Sequence, residues 1–95
     1  MNTHYNYPID TDWSTEEVID VVHFFNLIEQ AYEHGVSKER LLQAYNRFKE
    51  IVPSKSEEKQ HFKTFQQSSG YSSYHAVQAA RKTEADKVRM QAAND

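Results

Sequence analysis

WSTEEVIDVVHFFNLIEQAYEHG, residues 13–35, holds a helix start, a helix stop and an apolar face between them. Ser14 is a good N-cap. Glu17, three residues on, has the spacing to reach back to the cap's amide and complete a capping box. Trp13 before the cap and Val18 at the fourth helical position have the spacing of a hydrophobic staple. At about 100° per residue, Val18, Val21, Val22, Phe24, Phe25, Ile28, Ala31 and Tyr32 fill an arc of roughly 180°. Glu16, Asp20, His23 and Gln30 lie opposite, around Leu27, which this count leaves near the polar face. Gly35 suits the left-handed residue that closes a helix. An arc this wide needs more than one neighbour, so the first helix is expected at the centre of the fold.

The same grammar recurs along the chain. Ser37 caps a second helix whose seam is Leu41, Tyr45, Phe48 and Val52, flanked by Leu42 and Ile51 and ended by Pro53. Ser54 with Glu57 reads as another capping box, opening a short third helix that buries Phe62 and Phe65 and stops at Gly70. A fourth helix starts near Ser72 or Ser73 and sets Tyr74, Val77, Ala85 and Val88 on one side, interrupted by Gln78 and Arg81. No run of alternating β-branched residues and no Asn-Gly or Asp-Gly hairpin is present. The expectation is an all-α, bundle-like single domain over 1–89, with helices at about 15–33, 38–52, 55–69 and 73–89 and a flexible tail at 90–95.

Composition narrows the function classes. The chain has 95 residues, 38 % hydrophobic and 26 % charged, with twelve aromatics, two Gly, two Pro and no Cys. So many aromatics argue against disorder. Two Gly and two Pro argue against a turn-rich β-sandwich. Lack of Cys excludes disulfides, thiolate zinc sites and cysteine nucleophiles. No apolar run approaches the roughly 20 residues of a membrane span and the N-terminus lacks a signal-like pattern, so a cytoplasmic protein without membrane contact is expected. A chain of this size leaves most of the core to its rings, so Phe24, Phe25, Phe48, Phe62 and Phe65, with Trp13 and Tyr45, are assigned to the core.

Charge is unevenly distributed. Residues 1–36 hold seven acids and no Lys or Arg, whereas residues 37–95 hold eleven bases against seven acids, within a net charge of −3. Acidic and basic helices attracting each other within one fold is the plain reading; an acidic face offered to a basic partner is the sharper one.

Several strings, in fixed order, carry a family resemblance. They are Tyr7-Pro8-Ile9 and Asp12-Trp13-Ser14-Thr15-Glu16-Glu17, then Ala31-Tyr32-Glu33 and Gly35-Val36. Tyr45-x-x-Phe48-Lys49-Glu50-Ile51-Val52-Pro53-Ser54-Lys55 and Glu57-Glu58-Lys59 follow, and Ser68-Ser69-Gly70-Tyr71-Ser72-Ser73-Tyr74 closes the set. From about Tyr5 to Ala80 the chain resembles an uncharacterised bacterial family of short cytosolic proteins, number 0223 in the UPF series. The resemblance implies a compact, all-helical single domain. It implies no reaction, ligand or catalytic residue.

The chain carries few motifs of chemistry. His4, His23, His34, His61 and His75 form no His-x-x-x-His pair, and no two share a helical face at ligand spacing, so no metal and no cofactor is assigned. A nucleophile elbow, a Walker loop and a dinucleotide fingerprint are absent, and no enzyme is expected. Glu16 with Asp20, and Glu29 with Glu33, are like-charge i,i+4 pairs, expected to be offset by Lys or Arg from a neighbouring helix, with a divalent-cation or basic-partner site as the alternative. Two segments stand out. Ser54 and Lys55 begin a helix whose Lys55, Lys59 and Lys63 form a basic stripe, suited at its start to a phosphate or carboxylate. Tyr71 and Tyr74 flank a hydroxyl-rich helix start where rings near that stripe suit single-stranded nucleic acid. Capping alone also accounts for both segments. The leading functional expectation is a small interaction module that binds a protein partner or itself through the first helix, with Glu16, Asp20 and His23 on its acidic face. The runner-up is a nucleic-acid or phosphate-ligand binder using the Lys stripe with Tyr71 or Tyr74.

Overall fold

Adjacent phenylalanines in the first helix dictate the packing. A computed structural model of the chain describes residues 7–91, and its elements run α1 (Thr15–Glu33), β1 (Val36–Ser37), α2 (Lys38–Ile51), α3 (Lys55–Ser69), α4 (Ser73–Lys82) and β2 (Lys87–Val88). The expected capping box opens α1: Ser14 Oγ accepts the Glu17 N–H at 3.2 Å, and Glu17 Oε1 accepts the Ser14 N–H at 2.9 Å. Phe24 stacks on Phe48 of α2 (ring centroids 5.0 Å apart) and Phe62 of α3 (6.0 Å). Phe25 meets Phe65 of α3 at 4.6 Å, and the Tyr7 ring closes over Phe65 at 6.0 Å. The mainly all-α, single-domain architecture is thus an aromatic core gathered around α1.

Helix starts and stops have the local causes expected of them. Ser37, Ser54 and Ser72 cap α2, α3 and α4, their hydroxyl oxygens accepting the N–H of Arg40, Glu57 and His75. Of the expected Ser54–Glu57 box, the structure shows the Ser54 half, at 3.3 Å. Gly70 ends α3 at φ +83°, a backbone setting that favours glycine. Tyr32 of α1 stacks flat on Tyr71 (4.6 Å, 8°), and its hydroxyl both accepts the Ser72 N–H and donates to the Ser72 carbonyl. The short α3–α4 connection is thereby pinned to α1.

The C-terminal part departs from the expected fourth helix. Helix α4 ends at Lys82, not near 89, because Thr83 turns extended (ψ 145°) and its side chain takes the Ala85 N–H at 3.1 Å. Residues 87–88 pair antiparallel with β1, Val36 opposite Val88 and Ser37 opposite Lys87. Val88 is buried, through this ladder and not through a helical face, while Ala85 and Tyr74, assigned to the same side, are exposed. The segment from Thr83 to Met90 also straps the α1–α2 corner. Asp86 accepts the Lys38 N–H at 2.8 Å, Thr83 accepts Lys38 Nζ at 2.6 Å, and the Met90 N–H donates to Ala31 at 2.7 Å. Free amides and carbonyls at the two helix ends are satisfied this way. The chain thus stays docked through Met90, inside the segment expected to be a flexible tail; residues 92–95 lie outside the described residues.

Leu27 also departs from its expected place. Placed near the polar face by the helical count, it is 1 % exposed. It sits one turn before Ala31, itself fully buried, and belongs to the same core cluster.

Two stability effects follow. Phe24→Ala, losing rings against α2 and α3 at once, is expected to cost about 3–5 kcal/mol in chemical denaturation. Val88→Asp, placing a carboxylate at a buried ladder position, is expected to cost upwards of about 2 kcal/mol. A denaturation midpoint unchanged by Val88→Asp would show that the strap contributes nothing to stability.

Candidate functional site

Helix α3 gives one side to the core, through Phe62 and Phe65, and leaves its outer side to solvent. On that side Lys55, Lys59 and Lys63 recur every four residues, about 6 Å apart along the axis. Helix α4 returns alongside with Tyr74, Val77, Gln78 and Arg81, the i, i+3, i+4, i+7 stripe of one helical face. Between the two stripes runs an open groove of about 650 Å³. Phe62, Val77 and the Tyr45 ring of α2 supply its apolar lining, and Gln66 and Gln78 add amides.

The electrostatics of the groove are set by one carboxylate. Glu58 accepts Lys49 Nζ on Oε1 at 2.6 Å and the Tyr45 hydroxyl on Oε2 at 2.8 Å, so both its oxygens are engaged. The Arg81 guanidinium lies over the Tyr45 ring, 5.3 Å from its centroid. Burial, and then the Glu58 hydrogen bond and charge, push the Tyr45 hydroxyl up to about 12, keeping it a neutral donor. Within the described residues, none of Lys55, Lys59, Lys63 and Arg81 has a carboxylate within ion-pair distance. Four cations thus face one groove in a chain of net charge −3.

The structure brings together part of the residue set singled out from the sequence. Lys55, Lys59, Lys63 and Tyr74 line the groove, with Tyr74 57 % exposed. Tyr71 does not join them: it is stacked on Tyr32, and its hydroxyl donates to Glu33 at 2.9 Å. Ser54 caps α3 outside the groove. Arg81, Tyr45 and the two glutamines escaped the sequence reading. The available signal was the break in α4's apolar face at Gln78 and Arg81, which is the groove wall itself.

On α1 the acidic residues are largely accounted for inside the fold. Asp20 accepts Arg47 Nε at 2.8 Å, the neighbouring-helix offset expected for the Glu16–Asp20 pair. Glu29 and Glu33 instead meet tyrosine hydroxyls, Tyr7 at 2.5 Å and Tyr71 at 2.9 Å, a correction to the expected Lys or Arg. Burial pushes the Glu29 carboxyl up, the Tyr7 hydrogen bond opposes this, and Glu33 adds to it. Glu16 and His23 are exposed, His23 beside a 230 Å³ hollow that also touches Arg40. The centre of the apolar arc is spent on the core: Val21, Phe24, Phe25, Ile28 and Ala31 are fully buried, Val18, Val22 and Tyr32 are half-buried, and Ile19, beside the arc, is 59 % exposed. Among the described residues no three His, Asp or Glu gather into a metal-binding group.

The Glu58–Tyr45 contact has a pH signature. Because Tyr45 ionises above its ordinary value near 10, its contribution to stability is complete below pH 10 and is lost as pH rises toward 12. In an alkaline absorbance titration, Tyr45→Phe is expected to remove a late-ionising component, and Glu58→Gln to move it down. A titration unchanged by Glu58→Gln would break the link.

Sequence comparison adds relatives to this geometry. A family profile described as "Uncharacterised protein family (UPF0223)" matches residues 4–89. The chain is 62 % identical over 86 residues to a UPF0223 protein of Oceanobacillus iheyensis, which covers 90 % of this chain and 98 % of that one. It is 57 % identical over 88 residues to a UPF0223 protein of Staphylococcus aureus, covering 93 % of this chain and 96 % of that one. The profile spans all four helices, the groove and the β2 strap, and the chain belongs to the UPF0223 family.

Proposed function

We propose that this protein is a non-enzymatic binding module of the cytoplasm that takes a phosphate-bearing ligand in the groove between α3 and α4. The observation that carries this reading is the convergence of Lys55, Lys59, Lys63 and Arg81 on one groove with no carboxylate partner among the described residues. Phosphate suits such a lining: ammonium groups act as mobile point charges, and the planar guanidinium offers a fork of donors. Docking of a protein on α1 has less to support it, since the centre of its apolar arc is buried in the core and Asp20 is already paired. No helix among the described residues is long and apolar enough to cross a membrane.

Calorimetric titration with inorganic tripolyphosphate tests the reading. Binding is expected at low salt and should weaken steeply as salt is added. The paired reversal Lys59→Glu and Lys63→Glu should lower affinity by about tenfold or more, while Lys82→Glu, outside the groove, should change it by less than about twofold. Undetectable binding at low salt, or an equal effect of the two reversals, would refute the assignment.

A further inference from the structure

Resting on that reading, we infer that the ligand is a nucleoside polyphosphate, held with its phosphates at the Arg81 end of the groove and its base at the Tyr74 end. The two ends differ chemically. Arg81 lies over Tyr45, whose hydroxyl binds Glu58, and Lys55 and Lys59 follow on the same stretch of α3, so this end gathers three cations. The other end lies beside the turn at Gly70, where the chain reverses from α3 into α4. There Tyr74 offers a ring that is 57 % exposed, and Gln66 comes from the last turns of α3. An exposed tyrosine at the rim of a polar groove is a stacking platform that every nucleobase fits, and amides pair with base edges.

Tyr74 and Arg81 are seven residues apart on α4, about 10 Å along the helix. That separation asks for a ligand with a flat ring at one end and charge at the other, which tripolyphosphate lacks. The groove volume of about 650 Å³ falls in the range of small-molecule sites. A long nucleic acid is disfavoured by the net charge of −3, since general nucleic-acid binding usually draws on a basic domain.

Adenosine triphosphate, tripolyphosphate and a single-stranded decanucleotide serve as probes, titrated into the full chain at low and moderate salt. Adenosine triphosphate is expected to bind about tenfold more tightly than tripolyphosphate, the advantage that one stacked base confers. Tyr74→Ala, at an exposed position, should abolish that difference while leaving tripolyphosphate affinity unchanged. Arg81→Ala should weaken both ligands together. Equal affinity of the wild type for the two ligands would overturn the nucleotide assignment and leave the phosphate groove standing. Tighter binding of the decanucleotide than of adenosine triphosphate would overturn it in favour of a polymer. Failure of all three probes to bind would remove the groove assignment itself.

Discussion

Phe24 and Phe25 are neighbours on a helix that turns about 100° between them, and both are fully buried. Phe48 of α2 and Phe62 of α3 each reach both rings, so α1 is enclosed between two helices. Helix α2 supplies Phe48 on one side, and α3 supplies Phe62 and Phe65, bridging the two rings. Much of the rest follows from this enclosure. Once α3 is committed to the two phenylalanines, its opposite side has nothing to pack on. Its lysines face water, and α4 can only lie alongside, pinned at the turn by Tyr32 stacking on Tyr71. The groove between α3 and α4 is the space left by that arrangement.

The charge distribution resolves on the same frame. Acids crowd the first third of the chain because α1 is surrounded by elements that bring donors to it: Arg47 to Asp20, Tyr7 to Glu29, Tyr71 to Glu33. Two of these three donors are neutral hydroxyls. Among the described residues, Lys55, Lys59, Lys63 and Arg81 of the base-rich part are left without an ion pair. They gather on α3 and α4. A half-buried carboxylate beside another carboxylate is a modest cost to the fold, and the upward push on Glu29 shows it.

What was legible in the sequence is what short-range chemistry writes there. Serines at −1 from each helix, Gly70 at a left-handed stop and the spacing of the phenylalanines are local signals, and the four helices follow from them. The strap was not legible. Strand patterns announce themselves over four to eight residues, and a ladder of Val36–Ser37 with Lys87–Val88 is too short to show alternation. Val88 and Ala85 also happen to fall at helical spacing from Tyr74 and Val77, so the helical count carried on past Thr83. Leu27 reads as polar-facing on the helical count, and tertiary packing, which the count does not contain, buries it. The Lys stripe was legible as a stripe; its counterpart on α4 was not, because Gln78 and Arg81 read as flaws in an apolar face until α3 stood opposite them.

Arg81 differs from the three lysines in how far it is already ordered. Its guanidinium rests on the Tyr45 ring, and that ring is fixed by a hydroxyl bond to Glu58, itself held by Lys49. Three helices thus contribute to one chain of contacts: Lys49 and Tyr45 from α2, Glu58 from α3 and Arg81 from α4. Immobilising a long side chain on binding costs about 0.5–1.5 kcal/mol. For Arg81 much of that ordering is done by the fold, while each lysine still has its rotamers to lose. The carboxylate that dilutes the positive field at the floor of the groove is also what holds the ring under the guanidinium. Removing Glu58 would therefore raise the local charge and loosen the receptor together. In a site of so few groups, the fixed position of Arg81 would matter more to selectivity than one additional unit of positive charge.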